Sequence, residues 1–304
     1  MAYNLIVILG PTASGKTRMA ARLARDLGSE VISADSRQVY RGMDIGTGKD
    51  LADYVVDGVR VPFHLIDIVD PDQEFSVFEF QRRFAGCFSG ISARGTIPIL
   101  AGGTGLYIES VLRRFRMLPV PENAELRSEL EGLGMDDLSR RLIELNPRIH
   151  NTTDLGSKER VLRAIEIARH RIDHPGEDVA LPELRPLVFG IRHDRAALRR
   201  RITERLRKRL DEGMVEEVRR LHDAGLSWEA LERFGLEYRY VSRYLRGRIS
   251  YGEMFGTLEI RIGQFAKRQD TWFRGMEKRG VGIVWVRGDD YEGLRAKVRD
   301  LAGL

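Results

Sequence analysis

Eight residues near the start constrain this chain more than any others: Gly10-Pro11-Thr12-Ala13-Ser14-Gly15-Lys16-Thr17 fits G-x-x-x-x-G-K-[ST] at every fixed position. The run Leu5-Ile6-Val7-Ile8-Leu9 before it reads as a buried parallel strand. The segment after it, to Leu27, reads as a helix with Met19, Leu23 and Leu27 on one face. Strand, glycine loop and helix in that order make an anion cradle, because backbone N–H groups and the helix N-terminus converge on phosphate oxygens. Lys16 adds a point charge, and the Thr17 hydroxyl is placed to sit on Mg2+. The motif implies a bound di- or triphosphate group and leaves open which compound carries it.

Further along, Val31-Ile32-Ser33-Ala34 reads as a second strand ending at Asp35, where a parallel strand meets the phosphate crevice. A carboxylate there could hold Mg2+, accept a proton or cap the next turn, and the polar run Ser36-Arg37-Gln38 favours a site. Residues 64–68 read as a strand, with His64 a satisfied strand histidine rather than a metal ligand, since no second ligand lies at helical or hairpin spacing. Ser76 caps a helix to Arg94 that carries Phe80, Phe84, Cys87 and Phe88, and Cys87 reads as core packing. A strand at 97–101 delivers Gly102-Gly103-Thr104-Gly105 and a helix through Leu112. Those glycines either admit a ligand close to the backbone or simply make a tight turn.

The alternation of strands and helices gives a doubly wound α/β domain, a parallel sheet of the P-loop NTPase kind flanked by helices. Between 119 and 186 helical periods take over, at Ala124–Leu130, Met135–Leu145 and 158–169, with a loop at 171–182. We read 122–185 as a helical insertion in a core formed by 1–121 and 186–304. The core resumes with a strand at 187–191, a basic helix at 194–212, a helix opening at Gly213, another from Tyr251 to beyond Trp272-Phe273, a strand at 282–286 and a final helix at 291–301.

The net charge of +5 is modest, but Arg199, Arg200, Arg201, Arg205, Arg207, Lys208 and Arg209 crowd one segment, and Arg261, Lys267, Arg268, Arg274, Lys278 and Arg279 another. Such clusters suit a polyanionic partner or make a solvated helix face. Where aromatics interleave with them they can stack bases, and Trp272-Phe273 is equally a core anchor. No apolar run approaches ~18 residues, so no membrane span is expected. A single cysteine excludes an intramolecular disulfide and a cysteine zinc cluster. With Met1-Ala2-Tyr3-Asn4 running straight into the first strand, a cytoplasmic protein without a signal peptide is expected. No interface signature stands out, and a monomer is expected.

Taken together, the segments resemble the tRNA dimethylallyltransferases, also called tRNA isopentenyltransferases. The matching stretches, in order along nearly the whole chain, are the phosphate loop, Ser33-Ala34-Asp35-Ser36-Arg37-Gln38-Val39-Tyr40-Arg41-Gly42-Met43-Asp44-Ile45-Gly46-Thr47, residues 64–70, Gly102-Gly103-Thr104-Gly105-Leu106-Tyr107, residues 160–166, Arg201-Ile202-Thr203-Glu204-Arg205, Gly213-Met214-Val215-Glu216-Glu217-Val218, and Ala266-Lys267-Arg268-Gln269 with Thr271-Trp272-Phe273. The resemblance implies transfer of a dimethylallyl group from dimethylallyl diphosphate to N6 of the adenosine at tRNA position thirty-seven, in tRNAs reading codons that start with U. It implies that the loop and Arg205 hold the diphosphate, that Asp35 is the general base, and that Lys16, Thr104 and Arg205 complete the catalytic set with Mg2+ at Thr17. It also implies tRNA contacts at Asp35, Ser36, Arg37, Gln38, Thr104, Arg127, Glu159, Arg160, Val161, Leu162, Arg163, Phe234, Gly235, Leu236, Glu237, Tyr238, Arg239, Lys267, Arg268, Gln269 and Trp272, with the insertion gripping the anticodon stem-loop. Two stretches depart from the family pattern: Glu237 replaces a glycine, and the Ala-Lys-Pro after Gly46-Thr47 reads Gly48-Lys49-Asp50. The alternatives are an adenylate isopentenyltransferase, a small-molecule P-loop kinase, and a non-catalytic RNA-binding module with a nucleotide switch.

Overall fold

The structure, a computed structural model, describes residues 3–118, 120–147, 157–174 and 181–303. Strand β1 (Leu5–Leu9) leads through the phosphate loop into helix α1 (Lys16–Asp26) and β2 (Val31–Ala34). A short 3-10 turn (Leu51–Tyr54) and an antiparallel ribbon, β3 (Val55–Val56) with β4 (Val59–Arg60), precede β5 (Phe63–His64), α2 (Val77–Ala93), β6 (Ile99–Gly102) and α3 (Gly105–Leu112). Then come α4 (Ala124–Leu130), α5 (Met135–Leu145), α6 (Lys158–Asp173) and β7 (Pro186–Arg192). The chain closes with α7 (Arg195–Asp211), α8 (Met214–Asp223), α9 (Trp228–Arg233), α10 (Leu236–Leu245), α11 (Tyr251–Lys278), β8 (Val284–Arg287) and α12 (Tyr291–Ala302).

Six strands form one sheet in the order β5-β2-β6-β1-β7-β8, and every pairing in it is parallel. A parallel sheet needs both faces covered, which is why β1 is apolar at every position. Its side chains alternate between two cores. Ile6 and Ile8 pack with Met19 and Leu23 of α1 and Leu294 and Val298 of α12. Leu5, Val7 and Leu9 pack with Phe80 and Phe84 of α2, Ile108 of α3 and Phe273 of α11. Because the strands run one way, their C-terminal ends share one edge, and the residues that follow β1, β2, β6 and β7 meet there.

The chain divides into two compact units, one formed by Met1–Phe115 and Leu181–Leu304, the other by Arg116–Ala180. The second is held by Leu126, Leu130, Leu138, Leu142, Val161, Ile165 and Ala168, contributed by α4, α5 and α6. Beneath that cluster Glu166, its side chain 1 % exposed, accepts from Arg127 Nε (2.7 Å), Arg163 Nη1 (2.9 Å) and the Asn123 amide (3.0 Å). These donors keep the buried Glu166 carboxyl ionised below its ordinary range, against the opposing effect of burial.

Two readings change, at 64–68 and at 171–182. The strand at 64–68 stops at His64, because Leu65 and Asp67 take φ of 63° and 55°, which a pleated strand cannot hold. His64 is satisfied by Glu30, Nε2 to Oε2 2.6 Å. Helix α6 continues through Asp173, so the expected loop at 171–182 starts later, and 175–180 lie outside the described residues. Cys87 is half-buried against the Phe84 and Phe88 side of the core, and burial raises its thiol pKa.

Candidate active site

The phosphate loop turns through two left-handed residues, Ala13 (φ 61°) and Gly15 (φ 83°), and Gly15 caps α1. Its outward-facing groups are tied by residues far along the chain. Arg201 Nε donates to the Ala13 carbonyl (2.8 Å), and His193 Nε2 lies 2.9 Å from the Ser14 carbonyl. Gln269 on α11 accepts from the Thr12 amide (2.8 Å) and donates to the Gly103 carbonyl (2.8 Å), so one side chain links the loops after β1 and β6. The amides that open α1 have no intrahelical partner, as at any helix start, and are available to an anion.

Lys16 Nζ lies 3.4 Å from the Pro11 carbonyl. Burial and the Arg205 guanidinium hold its amine down at about 8, with Asp35 and Asp50 pulling the other way and Arg209 adding a smaller depression. A cation held down by desolvation and by other cations is one that an arriving anion restores to full charge.

Asp35 follows β2 and Thr104 precedes α3. Asp35 Oδ1 accepts from the Arg37 amide at 2.9 Å, so one oxygen caps the turn. Thr104 joins the two strand ends: its amide donates to the Ala34 carbonyl (3.1 Å) and its Oγ1 accepts from the Ser36 amide (3.0 Å). Arg205 reaches the same edge from α7, where Nη1 donates to Thr12 Oγ1 (3.2 Å), Nη2 donates to the Gly48 carbonyl (3.2 Å) and the guanidinium pairs with Asp50. The four residues expected to carry the chemistry therefore stand on one unit, at the ends of β1, β2 and β6 and on α7.

The irregular stretch 35–50 is built around a second buried carboxylate. Glu217 of α8 accepts from the amides of Asp44 (2.9 Å), Ile45 (2.7 Å) and Gly46 (2.9 Å) and from Tyr238 Oη (2.7 Å). Lys49, 1 % exposed, donates to the Tyr40 carbonyl (2.7 Å) and pairs with Asp44 (2.6 Å) and Asp67. Gln38 takes its place between Ser33 Oγ (3.1 Å) and the Gly48 carbonyl (2.9 Å).

The residues expected to touch RNA divide by exposure. Arg37, Glu159, Arg160, Lys267 and Arg268 are exposed. Ser36, Leu162, Phe234, Gly235, Leu236, Arg239 and Trp272 are half-buried, as are Arg127 and Arg163 around Glu166. Val161 and Tyr238 are fully buried, the first in the α4–α6 core and the second under Glu217, so their side chains serve packing. Gln38 and Gln269 are buried and hold loops in place. Trp272 lies against Gly105, where a Cβ would overlap its ring. Glu237 turns inward to Arg209, Oε1 to Nη1 3.4 Å.

Sequence reasoning passed over Arg201, His193, Glu217 and Arg209 as individual site residues. A signal was present for two of them: Arg201, Arg205 and Arg209 recur every fourth residue on α7, one position before the buried Ile202, Leu206 and Leu210.

A parallel sheet whose central strand ends in this loop, with a carboxylate after β2, one strand beyond β6, and arginines arriving from a later helix, defines a P-loop α/β protein built to hold a phosphate-bearing substrate. Comparison with known proteins narrows the class. Residues 38–276 match the IPP transferase family model, and residues 3–65 match that of isopentenyl transferase. A tRNA dimethylallyltransferase 1 of Syntrophus aciditrophicus is 58 % identical over 98 % of both chains, and a tRNA dimethylallyltransferase 2 of Syntrophotalea carbinolica is 57 % identical over 97 % of this chain and 98 % of that one. The crystal structure of the full-length tRNA isopentenylpyrophosphate transferase from Bacillus halodurans superposes with a TM-score of 0.70 at 32 % identity, covering 99 % of this chain and 96 % of that one. The chain belongs to the tRNA dimethylallyltransferase family.

Proposed function

We propose that this enzyme transfers the dimethylallyl group of dimethylallyl diphosphate to N6 of the adenosine at position thirty-seven of tRNAs reading codons that start with U. The observation that carries this reading beyond family membership is the meeting of Lys16, Asp35, Thr104 and Arg205 at one sheet edge. N6 attacks the allylic carbon, the carbon–oxygen bond breaks, and its electron pair leaves with diphosphate. An exocyclic aromatic amine is a weak nucleophile, so loss of its proton to the Asp35 carboxylate lowers the barrier. Lys16, the loop amides and Arg205 hold the negative charge that develops on the leaving group. Thr104, fixed to the Ala34 carbonyl and the Ser36 amide, positions the acceptor base against the donor.

Mg2+ fits as an ion held mainly by phosphate. Among the described residues no cluster of three His, Cys, Asp or Glu forms a protein cage, while Thr17 and Asp35 offer one hydroxyl and one carboxylate. When bound, the ion would neutralise the diphosphate leaving group. The exposed cations Arg37, Arg160, Lys267 and Arg268, with Arg127, Glu159 and Arg163, would meet the anticodon stem-loop, and the unit containing α4–α6 would grip it. The adenosine must leave the loop stack to react. We place the enzyme in the cytoplasm as a monomer; among the described residues no helix is long and apolar enough to cross a membrane.

The test supplies radiolabelled dimethylallyl diphosphate and Mg2+ with unmodified tRNA, and in parallel with free AMP and ATP. Label in the tRNA alone supports the reading. Label in the free nucleotide makes the chain an adenylate isopentenyltransferase, and no label in any acceptor overturns the transfer altogether.

A further inference from the structure

The two stretches that depart from the family pattern meet at one place. Arg209 of α7 is 7 % exposed, and its guanidinium lies over Gly48, where a Cβ would overlap it. Gly48 has φ of +66°, a conformation that suits glycine. The Gly48 carbonyl accepts from Arg205 Nη2. Asp50, two residues on, pairs with that same arginine. Glu237, which stands in place of the family glycine, is the ion-pair partner of Arg209, and Arg209 Nε is buried with no partner. Thus two guanidiniums stand side by side around Gly48, each with its own carboxylate, and only Arg205 touches the phosphate loop.

We infer that Arg209 is a positioning residue for diphosphate binding, acting through Arg205, a role that rests on the donor reading above. Arg209 does this in two ways. It fills the space behind Gly48 into which the Arg205 side chain would otherwise fold. It also occupies Glu237, which would otherwise be a half-buried carboxylate in need of a cation, with Arg205 lining the same small cavity. With Arg209 in place, Arg205 stays on Thr12 and faces the leaving group. Gly48 is the permissive element, since only a residue without Cβ leaves room for the Arg209 guanidinium and for Arg205 Nη2 beside it. The departures at 48 and 237 therefore belong to the donor site.

The experiment measures the affinity of inorganic diphosphate with Mg2+ by calorimetry on the full chain, with thermal unfolding recorded alongside. Arg209→Met should weaken binding roughly tenfold or more, the scale of one charge-assisted hydrogen bond. Adding Glu237→Gly to it should recover most of that loss, because no stray carboxylate then competes for Arg205. Gly48→Ala should weaken binding at least as much as Arg209→Met does, since its Cβ would crowd both the Arg209 and the Arg205 guanidinium. A residue that merely holds the fold would lower the melting temperature without this rescue. Unchanged affinity in Arg209→Met, or equal weakening in Arg209→Met and the double variant, would overturn the inference. The diphosphate measurement does not depend on transfer. A chain that binds diphosphate in the expected order yet labels no acceptor would sink the activity and leave the positioning role standing.

Discussion

The two loops that make the site are supported in opposite ways. The phosphate loop has its own local logic: a buried strand, two left-handed residues and a helix start fix its path, and distant residues steady the Ala13 and Ser14 carbonyls and the Thr12 amide and hydroxyl. The stretch 35–50 has no regular structure to set its path. Three successive amides rest on Glu217, and a buried Lys49 ties Tyr40 and Asp44 to Asp67. A loop of the first kind is as stable as its sheet, while one of the second kind depends on a single carboxylate some 170 residues away, Glu217 to Gly46 being 171 positions apart. The difference separates residues whose loss costs chemistry from residues whose loss costs structure.

Lys16→Ala is the sharpest cut, since it removes charge from the self-supporting loop. Turnover should fall by about a thousandfold, the upper range for losing one preorganised stabiliser, with the melting temperature little changed. A variant that melted early would show that this loop too leans on its side chains. Asp35→Asn should lower turnover about a hundredfold while tRNA binding, followed by filter retention, stays intact. Glu217→Ala should destabilise the chain by about 3 kcal/mol in denaturant titration, because buried donors lose a charged acceptor. It should lower tRNA binding and turnover together, and full stability in that variant would erase the contrast between the loops.

The smallest effect expected is a pH dependence. The Lys16 amine of the empty site sits at about 8, and a bound diphosphate favours its charged form. The affinity for dimethylallyl diphosphate should therefore be level just below pH 8 and fall above it, by up to about tenfold per unit while the bound form stays protonated. Calorimetry in two buffers of different ionisation heat at pH 8.5 should show proton uptake on binding, and Lys16→Met should abolish it.

The same contrast explains what could be read from the chain alone. β1, β2, α4 and α5 begin and end where the apolar pattern places them, because a doubly covered strand or an amphipathic helix is written locally. So is the phosphate loop. The supports of 35–50 were not legible, since nothing near Asp44 says that its amide will meet Glu217. The break after His64 was hidden for a related reason: Leu65 and Asp67 look like strand residues until their φ values are seen. Tyr238 and Val161, assigned to RNA by position within matching segments, turned out to be buried, because segment resemblance does not say which way a side chain faces.

Helix α7 looks from composition like one strongly basic rod. Its stripe of every fourth arginine makes it two-sided instead: Arg201 and Arg205 touch the phosphate loop and Arg209 lies buried behind them, while Arg199, Arg200, Arg207 and Lys208 face outward. The outward set and the exposed Arg201 can displace counterions from a nucleic acid, and the buried Arg209 cannot. The helix will therefore hold stray polyanions more loosely than its charge count implies, and its strongest positive field is kept for a ligand small enough to reach the sheet edge.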